Sequence, residues 1–141
     1  MMIFFTLYSF CPVLRNRLSK DFERLGLPAI SLTTDTSFMT AIANDYGFDA
    51  LFARQVETLG RAGDVLLGIS TSGKSPNVVL AMQAAKNRNM STILLTGNNP
   101  NLAGTADIII GVPSDNTQHI QETHLAIGHL LCSLVETELF G

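Results

Sequence analysis

The residues best suited to chemistry form a hydroxyl-rich segment, residues 70–75, which reads STSGKS. The segment follows an apolar run and precedes a helical pattern, and its hydroxyl groups belong to Ser70, Thr71, Ser72 and Ser75. A helix N-terminus offers unpaired N–H groups and a partial positive charge, so hydroxyl groups placed there suit a phosphate monoester. The segment therefore predicts a phosphate site, with a serine-rich helix cap that binds no ligand as the alternative.

The same segment also matches a nucleotide-binding pattern. Residues 68–75, GISTSGKS, fit G-x-x-x-x-G-K-[ST], in which Lys74 would contact the phosphates and Ser75 would hold magnesium. A nucleotidase of this kind needs an apolar strand that ends in Asp to organise magnesium. Asp64 and Asp107 instead open their apolar runs, which favours binding of a monoester over a nucleotide.

Four apolar runs and four helical patterns must position this segment. The runs cover residues 28–33, 64–70, 91–96 and 107–112, and each is nearly continuous in apolar residues, as in strands covered on both faces. The helical patterns cover residues 36–44, 51–59, 75–89 and 118–139. This alternation predicts an α/β fold, a three-layer parallel sheet flanked by helices of the flavodoxin or Rossmann type. The last pattern is apolar over more than half its circumference, which predicts packing against both the sheet and another subunit.

Size and composition bound the functions that are open to the chain. Its 141 residues suit one domain, and a net charge of −3 without a basic block excludes nucleic acid and an anionic membrane as expected partners. Cys11 and Cys132 lack metal-ligand spacing, so a reducing cytoplasm is expected. Residues 1–14 form an apolar run too short to span a bilayer, and a strand, a half-helix or an abnormal start of the chain are the alternatives.

Several motifs in order resemble the SIS (sugar isomerase) domain of phosphoheptose isomerases. They are GDVLLGISTSGKSPNVV, LTG, AGTADI, VP and IQETHLAIGHLL, and the resemblance runs from about residue 28 to the C-terminus. It implies a SIS fold, a cytoplasmic homotetramer with active sites at subunit interfaces, and an aldose–ketose isomerase. The implied reaction interconverts sedoheptulose 7-phosphate and D-glycero-D-manno-heptose 7-phosphate in lipopolysaccharide heptose biosynthesis.

The resemblance also implies roles for individual residues. Residues 70–75 would hold the substrate phosphate through Ser70, Thr71, Ser72 and Ser75, and Lys74 stands where the family often has Asn. Asn44 and Asp45, in the motif NDYGF, would contact the sugar. An Asn-Asp pair before an aromatic residue and a glycine is otherwise typical of a helix end, so both interpretations of this pair stay open.

Gln121 and His129 would belong to the catalytic centre, with zinc as the candidate cofactor and these two side chains as its candidate ligands. On one helix, eight residues correspond to a rise of about 12 Å and an offset of about 80°. The two could share an ion only if the helix begins after Gln121 or if they come from different subunits. Glu122 projects away from Gln121 and is not assigned as a base, whereas His124 is expected to pack or lie at the surface.

The front of the sequence departs from the family pattern. Family members carry a GNGGSA segment and a helix with D-x-x-H-x-x-x-E that supplies the base, and neither occurs here. We therefore predict an atypical segment over residues 1–27, a SIS domain over residues 28–141, and weak activity of this N-terminally truncated or altered chain by itself. The alternative is a non-catalytic SIS module that acts in assembly or sugar-phosphate sensing, such as a replication-initiator-associating protein. STSGKS and His129 favour the isomerase.

Overall fold

The computed structural model describes residues 26–141 and the backbone of the strand Ile3–Phe5. The described strands form one parallel sheet in the order β2-β1-β3-β4-β5. In chain order they are β1 (Ile3–Phe5), β2 (Ala29–Ser31), β3 (Val65–Ile69), β4 (Ser91–Thr96) and β5 (Ile108–Gly111). Strands β2 to β5 lie within the four predicted runs, and the predicted α/β class with a parallel sheet is confirmed.

The N-terminal apolar run contributes the strand β1, which pairs with β2 on one side and with β3 on the other. Ile3 aligns with Ala29 and with Val65 in these two ladders. The strand interpretation is therefore confirmed for Ile3–Phe5, while the other residues of the run, including Cys11, lie outside the described part of the chain. The predicted boundary between residues 27 and 28 stays a prediction.

The helices fall where the helical patterns place them, within three residues at each end. They are α1 (Thr36–Tyr46), α2 (Leu51–Leu59), α3 (Pro76–Asn87) and α4 (Thr117–Phe140), with a short 3-10 turn at Phe48–Ala50. Side-chain caps fix two of the starts, because Asp35 accepts a hydrogen bond from the N–H of Phe38 and Asn116 accepts one from Gln118. Among the described helices, none is both long and apolar enough to cross a membrane.

Neighbouring residues of the central strands point to opposite faces of the sheet and build two cores. Leu66 and Leu94 face a core completed by α2 and α3, with Val56 and Met82 among its buried side chains. Leu67 and Leu95 face a second core, against which α4 packs its half-buried residues. The continuous apolar runs in the sequence follow from this arrangement, since both faces of the strands are covered.

Candidate functional site

A sharp turn between β3 and α3 carries the predicted hydroxyl groups. Ser75 is the N-cap of α3 with extended backbone, and its carbonyl accepts hydrogen bonds from the N–H groups of Val78 and Val79. Pro76 occupies the first helical turn, where the N–H it lacks would have no partner within the helix. The segment 70–75 therefore ends at the positive end of a helix of 12 residues.

Three of the hydroxyl groups, those of Ser70, Ser72 and Ser75, make hydrogen bonds at or beside this helix start. The Oγ atoms of Ser70 and Ser75 lie 2.9 Å apart, and the N–H of Ser75 points to Ser70 Oγ at 3.4 Å. Ser72 Oγ accepts from the N–H of Lys74 at 3.2 Å. Ser70 is buried, Thr71 and Ser75 are half-buried, and Ser72 is exposed, so the group opens from the protein interior to solvent. Such a set of hydroxyl donors beside a helix N-terminus can bind one phosphate group.

Gly73 makes the turn possible. Its backbone has a φ of +67°, a conformation that L-residues with a side chain rarely adopt. A Cβ atom there would lie 2.4 Å from Leu102 Cδ1 and 2.9 Å from Thr96 Oγ1. Both the backbone conformation and the close approach of its neighbours therefore require glycine at this position.

The carboxyl end of β4 holds the segment from the side. Leu95 O accepts from the N–H of Ser70 at 3.0 Å, and the N–H of Gly97 donates to Thr71 O at 2.9 Å. The side-chain amide of Asn99 donates to Ser72 O at 2.8 Å. Sequence reasoning did not assign Asn99, and the only local signal was the motif LTG that precedes it. We call residues 70–75, held by these three bonds, the hydroxyl loop.

The strand order places the hydroxyl loop beside a reversal of the topology. In the order β2-β1-β3-β4-β5, the chain proceeds outward to one side from β1 and to the other side from β3. Ligands of open parallel sheets bind at the carboxyl ends of the strands next to such a reversal. The hydroxyl loop directly follows β3, so its position agrees with the general location of ligand sites in this class of fold.

The structure does not bring Gln121 and His129 together within one chain. Both are exposed on the continuous helix α4, which begins at Thr117, so the two are not separated by a helix start. Gln121 lies next to Ile120, whose side chain packs on Gly97 at the edge of the hydroxyl loop, whereas His129 is about 12 Å further along the axis. A single protomer therefore cannot place both side chains on one ion.

The other predicted contact residues, Asn44 and Asp45, lie at the end of α1. Asn44 and Asp45 are exposed in the last turn of α1, and the amide of Asn44 donates to Asp45 Oδ1 at 2.9 Å. Helix α1 ends at Tyr46, and Gly47 has a φ of +86°, as expected for the helix-end interpretation of this pair. Their contact with the sugar stays a prediction.

The described residues do not form a metal site by themselves. Within residues 26–141, no group of three or more His, Cys, Asp and Glu side chains is close enough to hold an ion. Gln121 and His129 would need a second copy of the chain or ligands from outside the described residues. The described residues of one protomer therefore do not make a zinc site by themselves, and no catalytic step is assigned to zinc.

Two carboxylates lie at the amino ends of the strands, away from the hydroxyl loop: Asp64 directly precedes β3 and Asp107 directly precedes β5. Asp107 accepts hydrogen bonds from both the N–H and the hydroxyl of Thr92, each at 2.8 Å. These bonds, with a smaller contribution from the charge of Lys86, hold the pKa of Asp107 below its usual value. By contrast, β3, β4 and β5 end at Ile69, Thr96 and Gly111. No acid therefore ends these three strands, which disfavours a nucleotidase.

Comparisons with known proteins identify relatives of the whole described fold. A family model described as the SIS domain matches residues 19–97. A phosphoheptose isomerase from Burkholderia pseudomallei is 53% identical over 121 residues, which cover 85% of this chain and 61% of that protein. One from Roseiflexus is 55% identical over 84% of this chain and 60% of its own length. This chain thus spans about three-fifths of the length of these relatives.

Solved structures agree with the sequence comparison. The structure of a phosphoheptose isomerase from Francisella tularensis superposes with a TM-score of 0.87 and is 38% identical, covering 96% of this chain and 76% of that one. The phosphoheptose isomerase from Neisseria gonorrhoeae gives a TM-score of 0.81 at 41% identity, with the same coverage. Sequence and fold therefore point to the same group of proteins.

Proposed function

The chain belongs to the phosphoheptose isomerases of the SIS-domain family, and we propose that its hydroxyl loop binds the phosphate of a heptose 7-phosphate. The observation that carries this proposal is the convergence of Ser70, Ser72 and Ser75 at the start of α3. Hydroxyl and backbone donors beside a helix N-terminus favour a compact dianion. A monoester presents such a group, while the rest of the sugar can extend into solvent or towards a second subunit.

The proposed reaction interconverts sedoheptulose 7-phosphate and D-glycero-D-manno-heptose 7-phosphate. It moves a proton between adjacent carbons through an enediolate, which requires a base, a stabiliser of the oxyanion and a means of holding the substrate. The hydroxyl loop supplies the last of these, and binding of the remote phosphate orients the reacting carbons. We assign His129 as the candidate acid and Gln121 as a catalytic and substrate-binding residue as part of this proposal. Within the described residues we assign no base, and low activity of this chain alone stays a prediction.

Self-association is the second part of the proposal. Helix α4 packs one side on the sheet but leaves Leu125, Leu130 and Leu134 exposed, to 43%, 59% and 56%. A run of exposed leucines on one helix is typical of a surface that another protein covers. With a second copy placed there, Gln121 of one subunit and His129 of another would both lie on helices that face the interface. We propose a homotetramer in the cytoplasm, with active sites between subunits. Zinc bound at such an interface stays a proposal of the same kind.

The phosphate site is tested by removing two hydroxyl groups and measuring affinity for sedoheptulose 7-phosphate by calorimetry. The Ser72→Ala/Ser75→Ala double variant is expected to bind at least about tenfold more weakly, since hydrogen bonds to charged groups contribute about 1.5–3 kcal/mol each. Ser91→Ala is the matched control, because Ser91 is an exposed serine at the start of β4, at the opposite edge of the sheet. Unchanged affinity in the double variant would exclude the hydroxyl loop as the phosphate site.

A further inference from the structure

His124 is a buried polar side chain to which the proposed function assigns no role. It lies on the inner side of α4 with 2% of its surface exposed, and its Nε2 is 3.0 Å from Thr96 O. A carbonyl oxygen only accepts hydrogen bonds, so Nε2 must carry the hydrogen and donate it. The sequence predicted a packing or surface role for His124, and the structure places it in the interior with a defined donor.

Packing alone does not account for a histidine at this position. Within the described residues, His124 Nδ1 and the neighbouring Thr96 Oγ1 are buried polar atoms without a hydrogen-bond partner. A buried polar atom left unpaired costs free energy that an apolar side chain of similar size would avoid. The donated bond to Thr96 O is therefore the feature that distinguishes histidine from leucine here.

The bond to Thr96 O acts where β4 supports the hydroxyl loop. Thr96 is the last residue of β4, and its carbonyl also accepts from the N–H of Val112. The next N–H along the chain, that of Gly97, donates to Thr71 O. The side chain of Thr96 also lies against Gly73. Any shift of the Thr96–Gly97 peptide is thus transmitted directly to two residues of the hydroxyl loop.

Helix α4 contacts the Thr96–Gly97 peptide through two side chains that lie one helical turn apart. Ile120 packs on Gly97, where an added Cβ would lie 2.7 Å from Ile120 Cδ1. His124, four residues later on the same face, donates to Thr96 O. The same helix carries Gln121, which the proposed function places at the substrate. The two contacts therefore set the distance between the hydroxyl loop and the helix that bears the predicted catalytic side chains.

We propose that His124 is a positioning residue that holds the carboxyl end of β4, and with it the hydroxyl loop, at a fixed distance from α4. This inference rests on the proposed phosphate binding by that loop. Loss of the donor at His124 should weaken binding of the sugar phosphate. A variant whose donor nitrogen lies as many bonds from Cα as His Nε2 should retain the affinity.

The test uses variants that differ in the reach of their donor. In Gln, the side-chain nitrogen is as many bonds from Cα as His Nε2, so His124→Gln can donate to Thr96 O. In Asn, the nitrogen is one bond closer, and in Leu there is none. We expect His124→Leu and His124→Asn to bind sedoheptulose 7-phosphate about tenfold more weakly, the loss expected when one hydrogen bond to the charged phosphate is misplaced. His124→Gln should stay within about twofold of the unaltered chain.

A matched control separates positioning from general stability. Gln55 is also buried and donates to the backbone carbonyl of Leu32, just after β2, at 2.9 Å. Gln55→Leu should lower the melting temperature and leave the affinity unchanged. Equal weakening by Gln55→Leu, or a His124→Leu variant that keeps its affinity while losing stability, would overturn the proposal.

Three further outcomes bear on the role of His124. If His124→Leu does not fold, the comparison of His124→Gln with His124→Asn decides, and equal affinities in these two variants would overturn the positioning role. If the unaltered chain fails to bind sedoheptulose 7-phosphate, both the phosphate site and the role of His124 are wrong. Binding that depends on Ser72 and Ser75 but not on His124 would overturn the positioning role of His124 and leave the phosphate site intact.

Discussion

Gly73 is the residue of the hydroxyl loop at which a side chain would be least tolerated. Its φ of +67° and the 2.4 Å approach of Leu102 Cδ1 to a Cβ built there leave no room for a side chain. We expect Gly73→Ala to lower the free energy of unfolding by about 2–4 kcal/mol, as a strained backbone and an overpacked contact add together. Chemical denaturation measures this loss.

A second glycine isolates the steric part of that effect. Gly63 has a φ of +86°, but an added Cβ meets nothing within 4 Å. Gly63→Ala should therefore cost only the backbone term of about 1–2 kcal/mol. Similar losses in the two variants would show that Leu102 yields easily and that the turn is less constrained than the structure indicates.

Asp107, at the amino ends of the strands and opposite the site, should make the stability of the fold depend on pH. Its pKa is lowered in the folded chain by hydrogen bonds from Thr92, so the carboxylate form is favoured by folding. The resulting stability is present above the unfolded pKa of about 3.9 and is lost as the pH falls through the lower folded value. Asp107→Asn should be less stable than the unaltered chain near neutrality, with the difference shrinking below about pH 4.

Denaturant titrations between pH 3 and pH 7 measure this effect, and Thr92→Val provides the matching change in the partner. In a double-mutant cycle the two substitutions should be non-additive, because both act on the hydrogen bond from the Thr92 hydroxyl to the Asp107 carboxylate, whereas the bond from the Thr92 N–H remains in Thr92→Val. A constant difference between Asp107→Asn and the unaltered chain at every pH would contradict the assignment.

At the scale of elements, the hydroxyl loop depends on β4 as much as on its own residues. Asn99 links the segment after β4 to the loop by donating to Ser72 O. We expect Asn99→Ala to lower the free energy of unfolding by about 0.5–1.5 kcal/mol, the net contribution of one hydrogen bond, and to weaken binding of sedoheptulose 7-phosphate by about three- to tenfold because Ser72 is no longer held in place. Calorimetry measures the affinity.

Asn101→Ala is the control for this change, because Asn101 lies in the same segment and uses its backbone N–H, bonded to Asn99 Oδ1, rather than its side chain. It should bind the ligand as the unaltered chain does. Equal affinities of Asn99→Ala and Asn101→Ala would show that the bond from Asn99 does not shape the site.

Local sequence patterns predicted most elements, because burial on both faces leaves a direct trace in the strands. Runs such as Leu66–Leu67 and Leu94–Leu95 supply one residue to each core, and the hydroxyl-rich start of α3 is a local signal. The position of β1 between β2 and β3 could not be read from a short apolar run. The bonds from Asn99 and His124 join residues 27 and 28 positions apart in the chain, and no local pattern encodes such contacts.

At the scale of the whole molecule, the exposed leucines of α4 should hold copies of the chain together. Leu130 and Leu134 are more than half exposed in one protomer, so changing them should not disturb its core. We expect the Leu130→Glu/Leu134→Glu variant to form a smaller species than the unaltered chain in sedimentation, because burying two carboxylates at an interface is strongly unfavourable. Its far-UV circular dichroism should be unchanged.

Leu80→Glu is the control for this surface, since Leu80 is exposed on α3 to 41%. That variant should keep the mass of the unaltered chain. If the double variant also keeps that mass, the exposed face of α4 is not a contact between copies.

The most direct test of phosphate binding by the hydroxyl loop is a titration with sedoheptulose 7-phosphate followed by amide NMR. The backbone N–H groups of residues 70–75, 77 and 78 should shift most, together with that of Gly97, which donates to Thr71 O in the loop. The same shifts should be lost in the Ser72→Ala/Ser75→Ala variant. Saturable binding with shifts confined to residues away from the start of α3 and the end of β4 would contradict the account.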